Sequence, residues 1–137
     1  MLLEQIGAGG MGQVFRAEHR TMNRLVAVKV LSSSIANQRM LIDQFFAEIR
    51  AVAKLMHPNI VTAFDAGSVG ETHYLVMELV EGQVLSERVR EHGPLSSAES
   101  VHVLEQAGKA LQYAHSVGIV HRDIKPSNMM LTVDGTL

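Results

Sequence analysis

An α+β chain built as two unlike lobes is expected from three features of this 137-residue sequence. Strand-like segments fill it up to Gly82, interrupted by one stretch with the 3.6-residue rhythm of a helix. Beyond Gly82 helical segments prevail, and Glu78–Gly82 reads as the join. The hydrophobic share of 47% is enough for a buried core, and 19% charged is too little for a disordered chain.

The elements follow in order. Leu2–Ile6 reads as a strand leading into a glycine cluster, and Gln13–Glu18 as the strand leaving it, with Val14, Arg16 and Glu18 alternating against Gln13, Phe15 and Ala17. His19–Arg24 is a polar turn before Leu25–Leu31, which is rich in β-branched residues. From Asp43 to Met56, Phe45, Ile49, Val52 and Met56 predict an amphipathic helix that ends at His57–Pro58–Asn59, because proline disfavours helical geometry in the residue before it. Ile60–Ala66 and His73–Val80 read as a hairpin turning at Gly67–Gly70. A short helix over Ser86–His92 stops at Gly93–Pro94. A longer one opens at Ser96–Glu99 with the spacing of a capping box; it carries Val101, Leu104, Gly108, Leu111 and His115 on one face and closes at Gly118.

Composition excludes several functions. With 12 Lys+Arg against 14 Asp+Glu and no basic block, nucleic acid is not expected as the main partner. The absence of cysteine removes disulfides, thiolate zinc sites and a cysteine nucleophile, and it fits a reducing compartment. No signal peptide is visible, and apolar runs such as Leu25–Val28 stop far short of the ~18 residues of a membrane span, so a soluble chain is expected.

Gly7–Val14 fits G-x-G-x-x-G-x-V, a spacing that lets backbone N–H groups approach phosphate oxygens; a glycine-rich hairpin turn reads equally well from the loop alone. A dinucleotide-binding loop would open a helix and be followed ~20 positions later by an acidic residue. Here a strand follows, and no Asp or Glu lies between Glu18 and Asp43. A P-loop is excluded because Gln13, not lysine, follows Gly12. Lys29 stands on an otherwise apolar strand, on the side of Ala27 and Leu31 and opposite Val28. Glu48 projects from the apolar side of the predicted helix, where a carboxylate calls for a cation, and Lys29 is the best-placed one. Taken singly, each also reads as an exposed charge at the edge of its element.

His121–Arg122–Asp123–Ile124–Lys125–Pro126–Ser127–Asn128 gathers a carboxylate, a cation and an amide on one loop. Taken alone it could be a charged surface loop. With the glycine loop, Val26–Lys29 and Glu48 in this order, however, it resembles the catalytic loop of eukaryotic-type Ser/Thr protein kinases, bacterial ones in particular. His57–Val61 and Tyr74–Leu79 fit the same pattern, and the likeness covers Leu3–Leu137.

That resemblance implies a two-lobed kinase fold, with residues 1–80 as the N-lobe and 81–137 as part of the C-lobe. It implies ATP and Mg²⁺ as cofactors and Ser/Thr hydroxyls of proteins as acceptors. Gly7, Gly9, Gly12 and Val14 would cover the nucleotide, and Ala27 and Met130 would sandwich the adenine. Met77 would be the gatekeeper, with Glu78–Val80 as the hinge. Lys29 would hold the α/β-phosphates with Glu48 behind it, Asp123 would accept the hydroxyl proton, Lys125 would steady the moving phosphoryl group and Asn128 would bind Mg²⁺. His121 and His57 are expected to be structural, His121 packing under its loop. Asp134 is read as a turn residue rather than a metal ligand.

No Asp-Phe-Gly motif occurs. The chain is therefore read as roughly the first half of such a domain, from a cytoplasmic protein with any membrane anchor outside this segment. A second reading is a catalytically inactive nucleotide-binding or interaction module. Val101, Leu104 and Leu111 are expected to be partly exposed and to favour self-association.

Overall fold

The computed structural model describes residues 1–9, 12–31 and 39–137, except for the side chains of Gln44 and Glu48. The chain divides into two units, Met1–Leu55 with Val61–Leu79, and Met56–Ile60 with Val80–Leu137.

The first unit is built on a five-stranded antiparallel sheet in the order β1-β2-β3-β5-β4. The strands are β1 (Leu2–Gly9), β2 (Gly12–His19), β3 (Arg24–Leu31), β4 (Ala63–Val69) and β5 (Thr72–Glu78). One face carries the core of Ala17, Val26 and Val76, onto which Val28, Phe64 and Tyr74 pack. Its edge is covered by Arg24, whose guanidinium carbon lies 3.6 Å from the Phe64 ring centre. Side chains directly opposite in an antiparallel pair share a face. Val14 pairs with Lys29, Lys29 with Leu75 and Ala27 with Met77, so Val14, Ala27, Lys29 and Met77 stand together on the face opposite that core.

Several element boundaries differ from the sequence reading, among them those of β1, which runs on to Gly9, and of β4, which begins at Ala63; two differences have a clear cause. The helix expected over Asp43–Met56 is α1 (Arg39–Val52), which starts and stops earlier. After Val52 the chain tightens, with the Leu55 N–H donating to the Val52 carbonyl at 2.9 Å. Leu55 takes the buried place and Met56 is 78% exposed. The Met56 N–H turns instead to the Tyr113 hydroxyl at 3.3 Å, a partner no local pattern announces.

The hairpin is the second correction. Its loop is only Gly70–Glu71, since Val69 pairs with Thr72. Gly70 supplies the positive φ of 59° that such a tight loop requires. Gly67 is a strand residue opposite Tyr74, and a Cβ there would come within 2.8 Å of the Tyr74 hydroxyl. That glycine serves the overlying ring rather than the turn.

The second unit contains β6 (Gly82–Val84), α2 (Leu85–His92), α3 (Ser97–Ser116), a 3-10 turn at Pro126–Asn128 and β7 (Met130–Thr132). β6 and β7 form an antiparallel pair so close that a Cβ on Gly82 would lie 2.5 Å from the Leu131 carbonyl oxygen. The predicted capping box is present: Ser96 Oγ accepts from the Glu99 N–H at 3.2 Å, and Glu99 Oε2 accepts from the Ser96 N–H at 2.8 Å. Helix α3 ends as its glycine foretells. Gly118 has φ of 80°, its N–H bonds the His115 carbonyl, and the Ile119 N–H bonds the Ala114 carbonyl, closing a Schellman motif.

The inward side of α3 is Val103, Ala110 and Ala114, with Gln106, Ala107 and Tyr113 half-buried. The stripe read from the sequence is a different one, and in it Val101 is 64% and Leu104 69% exposed. Met56–Ile60 docks on α3: the His57 ring lies 5.4 Å from that of Tyr113, and Asn59 Nδ2 donates to Gln106 Oε1 and to the Leu137 carbonyl, both at 2.9 Å. His57 therefore has a structural place, its Nδ1 accepting the Asn59 N–H at 3.1 Å.

Candidate active site

In the first unit the residues singled out lie on neighbouring strands. Gly7 pairs with Val14 and Gly9 with Gly12, while the apex, Gly10 and Met11, lies outside the described residues. Gly12 and Gly7 stand in different surroundings. At Gly12, φ is 152° and a Cβ would sit 1.9 Å from the Val30 carbonyl oxygen, so the approach of β3 itself demands glycine. At Gly7 a Cβ would meet nothing nearer than Val14 Cβ at 3.7 Å, an ordinary contact. Among the described residues nothing crowds a side chain at position 7, and that room suits a group from outside, as a phosphate-covering loop needs.

Lys29 is half-buried on the same face as Val14, Ala27 and Met77. Glu48 falls within α1, but its side chain lies outside the description, so the pairing of Glu48 with Lys29 is not among the contacts described. Glu78 closes β5. Its N–H donates to the Thr62 carbonyl at 2.9 Å, and its Oε2 accepts from the Thr62 N–H at 3.1 Å. Thr62 has no mark in the sequence, because it contributes only backbone atoms.

In the second unit the loop after α3 gathers Asp123, Lys125 and Asn128. Pro126 opens the 3-10 turn and holds the preceding Lys125 extended, at φ −159° and ψ 158°. The Asn128 N–H then reaches the Lys125 carbonyl at 2.9 Å. That turn brings Asn128 Nδ2 to 2.9 Å from the Asp123 carbonyl and 3.0 Å from Asp123 Oδ2. Lys125 Nζ lies 2.9 Å from the same Oδ2. Arg122 takes the left-handed conformation, φ 64°, between His121 and Asp123. His121 is exposed rather than packed beneath the loop, and its Nδ1 accepts the Asp123 N–H at 3.2 Å, bridging that strained residue.

Hydrogen bonds from Lys125 and then Asn128 hold the Asp123 carboxyl below its ordinary value near 3.8. Both bonds fall on Oδ2, and among the described residues Oδ1 has no hydrogen-bond partner and can accept a proton or an O–H. The same network commits the Asn128 amide nitrogen, so Oδ1 of Asn128 is its outward atom. A carbonyl oxygen beside a carboxylate fits a hard divalent cation that draws its remaining ligands from phosphate and water. Among the described residues no cluster of three or more His, Asp or Glu could hold a metal unaided. Asp134 lies in the turn after β7, where its carboxylate accepts from the Thr132 hydroxyl and, at 3.2 Å, from the Thr136 N–H. Met130 is the first residue of β7 and pairs with Val84; Val80 belongs to the second unit.

A strand hairpin with an open glycine position, a lysine on the adjoining strand and an Asp-x-Lys-x-x-Asn loop are the features by which the sequence resembles protein kinases. The protein kinase domain family matches residues 1–137, and the chain belongs to that family. It is 45% identical over 135 residues to serine/threonine-protein kinase PknA of Mycobacterium tuberculosis, covering 95% of this chain and 31% of that protein. It is 40% identical over 136 residues to serine/threonine-protein kinase PrkC of Bacillus subtilis, covering 99% of this chain and 21% of that one. Among solved structures the PknI kinase domain of M. tuberculosis superposes with a TM-score of 0.84 at 30% identity, over 96% of this chain and 53% of that chain. The chain thus spans about half of that solved domain and between 21% and 31% of these curated relatives.

Proposed function

We propose that this chain supplies the nucleotide-binding strands and catalytic loop of a protein that transfers the γ-phosphoryl group of ATP to Ser/Thr hydroxyls of proteins. The observation that carries the reading is the Asp123 carboxylate, ionised and fixed through Oδ2 by Lys125 and Asn128, with Oδ1 left open. Phosphoryl transfer asks little covalent chemistry of a protein. It needs an aligned hydroxyl and positive charge around the equatorial oxygens.

Asp123 Oδ1 accepts the hydrogen bond of the substrate hydroxyl and orients its oxygen. Lys125 lies beside that oxygen's path and steadies charge on the group in transit. Gly7, Gly9, Gly12 and Val14 cover the nucleotide. Ala27, Met77 and Met130 are assigned to the adenine, and Glu78–Val80 offer it backbone groups. Lys29, with Glu48 behind it, holds the α/β-phosphates. Asn128 Oδ1 would help to hold Mg²⁺, which when bound would neutralise developing phosphate charge.

No helix among the described residues is long and apolar enough to cross a membrane. We assign the domain to the cytoplasm, with any anchor elsewhere in the protein. The exposed Val101 and Leu104 stripe favours self-association of the isolated 137-residue chain.

The test is transfer of γ-labelled phosphate to a protein acceptor by the full-length protein. Label in acid-stable, alkali-labile phosphoserine or phosphothreonine is the expected product. Label only in phosphohistidine or acyl phosphate, or none above background, would overturn the assignment.

A further inference from the structure

Helix α3 carries the Asp123 loop at one end and takes the same chain back at its middle. The chain leaves α3 after Ser116, runs through Asp123, the 3-10 turn and β7, and returns at Gly135. A helix uses its backbone groups internally, so α3 can hold the returning chain only through side chains. Gln106 does most of this. Its Nε2 donates to the Gly135 carbonyl at 3.1 Å, and its Oε1 accepts from the Leu137 N–H at 3.0 Å and from Asn59 Nδ2 at 2.9 Å. Asn59 Nδ2 also donates to the Leu137 carbonyl at 2.9 Å. His102 Nε2 lies 3.1 Å from the Gly135 carbonyl and, facing an acceptor, is the donor there. Turning the Gln106 amide over would face its nitrogen with two donors and its oxygen with a carbonyl, so one orientation is fixed. Both amides are half-buried, and all these residues belong to the second unit.

We infer that Gln106 is a positioning residue for the Asp123 loop: with Asn59 it fastens the returning chain to α3, so that the segment carrying Asp123, Lys125 and Asn128 is tied to one helix at both ends. The proposal deepens the reading of that loop given above and rests on it for its effect on turnover. The physical reason is entropic. A segment held at both ends samples fewer conformations than one held at a single end, and release of one end widens what Asp123 and its partners can adopt. The loop residues His121–Asn128 are exposed, so little packing fixes their geometry and fastening matters more. Strand β6 supports the return as well, but over the three residues Gly82–Val84 only.

The test uses the full-length protein with two variants: Gln106→Leu, which keeps the bulk and removes the amide, and Asn59→Ala. In Gln106→Leu the bonds from Lys125 and Asn128 to Asp123 should be populated less. Carboxyl-carbon NMR should then show the Asp123 midpoint moving up toward the ordinary value near 3.8. The kcat for phosphate transfer should fall roughly five- to tenfold, the worth of one hydrogen bond, with the KM for ATP nearly unchanged. Asn59→Ala should act in the same direction, and the double variant should lose no more than Gln106→Leu alone, because both act through one network. Ala110→Gly is the control. It weakens the same helix at a buried position but leaves the Gln106 amide in place, so it should lower the thermal midpoint without moving that of Asp123. An unmoved Asp123 midpoint in Gln106→Leu, or single losses that multiply in the double variant, would overturn the positioning role and leave the loop's chemistry standing. Wild-type protein without phosphate transfer would overturn the reading of the loop, while the NMR measurement would still decide whether Gln106 holds it. Should Gln106→Leu not fold, Asn59→Ala carries the same two readouts, and an Asp123 midpoint and kcat both unchanged in it would overturn the proposal.

Discussion

Asp123 shows how a single exposed carboxylate can be held ready by its neighbours. Its depressed value has a definite sign in pH. The contribution of the Lys125 and Asn128 bonds is fully present above the ordinary aspartate value near 3.8 and is lost as pH falls through the lower folded value. Asp123 therefore stays charged through the whole physiological range. Lys125→Met should move its midpoint up toward the ordinary value, as read by carboxyl-carbon NMR; an unmoved midpoint would remove Lys125 from the loop's electrostatics. Lys29 is open to an equally direct test. Lys29→Met should cut phosphate transfer by the full-length protein on the order of 10²-fold while leaving the thermal midpoint unchanged. Undiminished transfer would refute its assignment to the phosphates. These two residues could be read from the sequence because each sits in a contiguous motif. The Thr62 partner of Glu78 could not, since a backbone N–H leaves no trace in residue type.

The elements were legible wherever local chemistry decides them. The strand alternation around Lys29, the Ser96–Glu99 capping box and the Gly118 terminus all depend on residues a few positions apart, and all three are present. Long-range contacts decided the rest. The end of α1 is set by Leu55 burying itself and by Tyr113 receiving the Met56 N–H. The hairpin loop is displaced because Tyr74 lies over Gly67. In α3 the small residues Ala110 and Ala114 face inward, although the larger apolar side chains form the stripe that the sequence makes conspicuous. The glycine hairpin gives a prediction at this scale. Gly12→Ala should destabilise the fold by roughly 2 kcal/mol, because its Cβ meets the Val30 carbonyl at 1.9 Å. Gly7→Ala should change stability by less than about 0.5 kcal/mol yet weaken ATP binding. Chemical denaturation paired with nucleotide titration separates them, and equal destabilisation of both variants would refute the distinction.

At the scale of the whole molecule, two units each carry part of the proposed chemistry: Lys29 and the glycine hairpin in one, Asp123, Lys125 and Asn128 in the other. The exposed Val101 and Leu104 give the 137-residue chain an apolar stripe, and light scattering should show association that Val101→Ser with Leu104→Ser reduces. A monodisperse monomer of the unsubstituted chain would contradict this. The 137-residue chain contains no Asp-Phe-Gly motif, and we expect negligible turnover from it alone. The full-length protein therefore provides the decisive comparison, steady-state phosphate transfer from ATP by wild type and by Asp123→Asn. Loss of the carboxylate should lower kcat by roughly 10²- to 10⁴-fold with the KM for ATP nearly unchanged. Turnover surviving at the wild-type rate in Asp123→Asn would contradict the role of that loop in the chemistry.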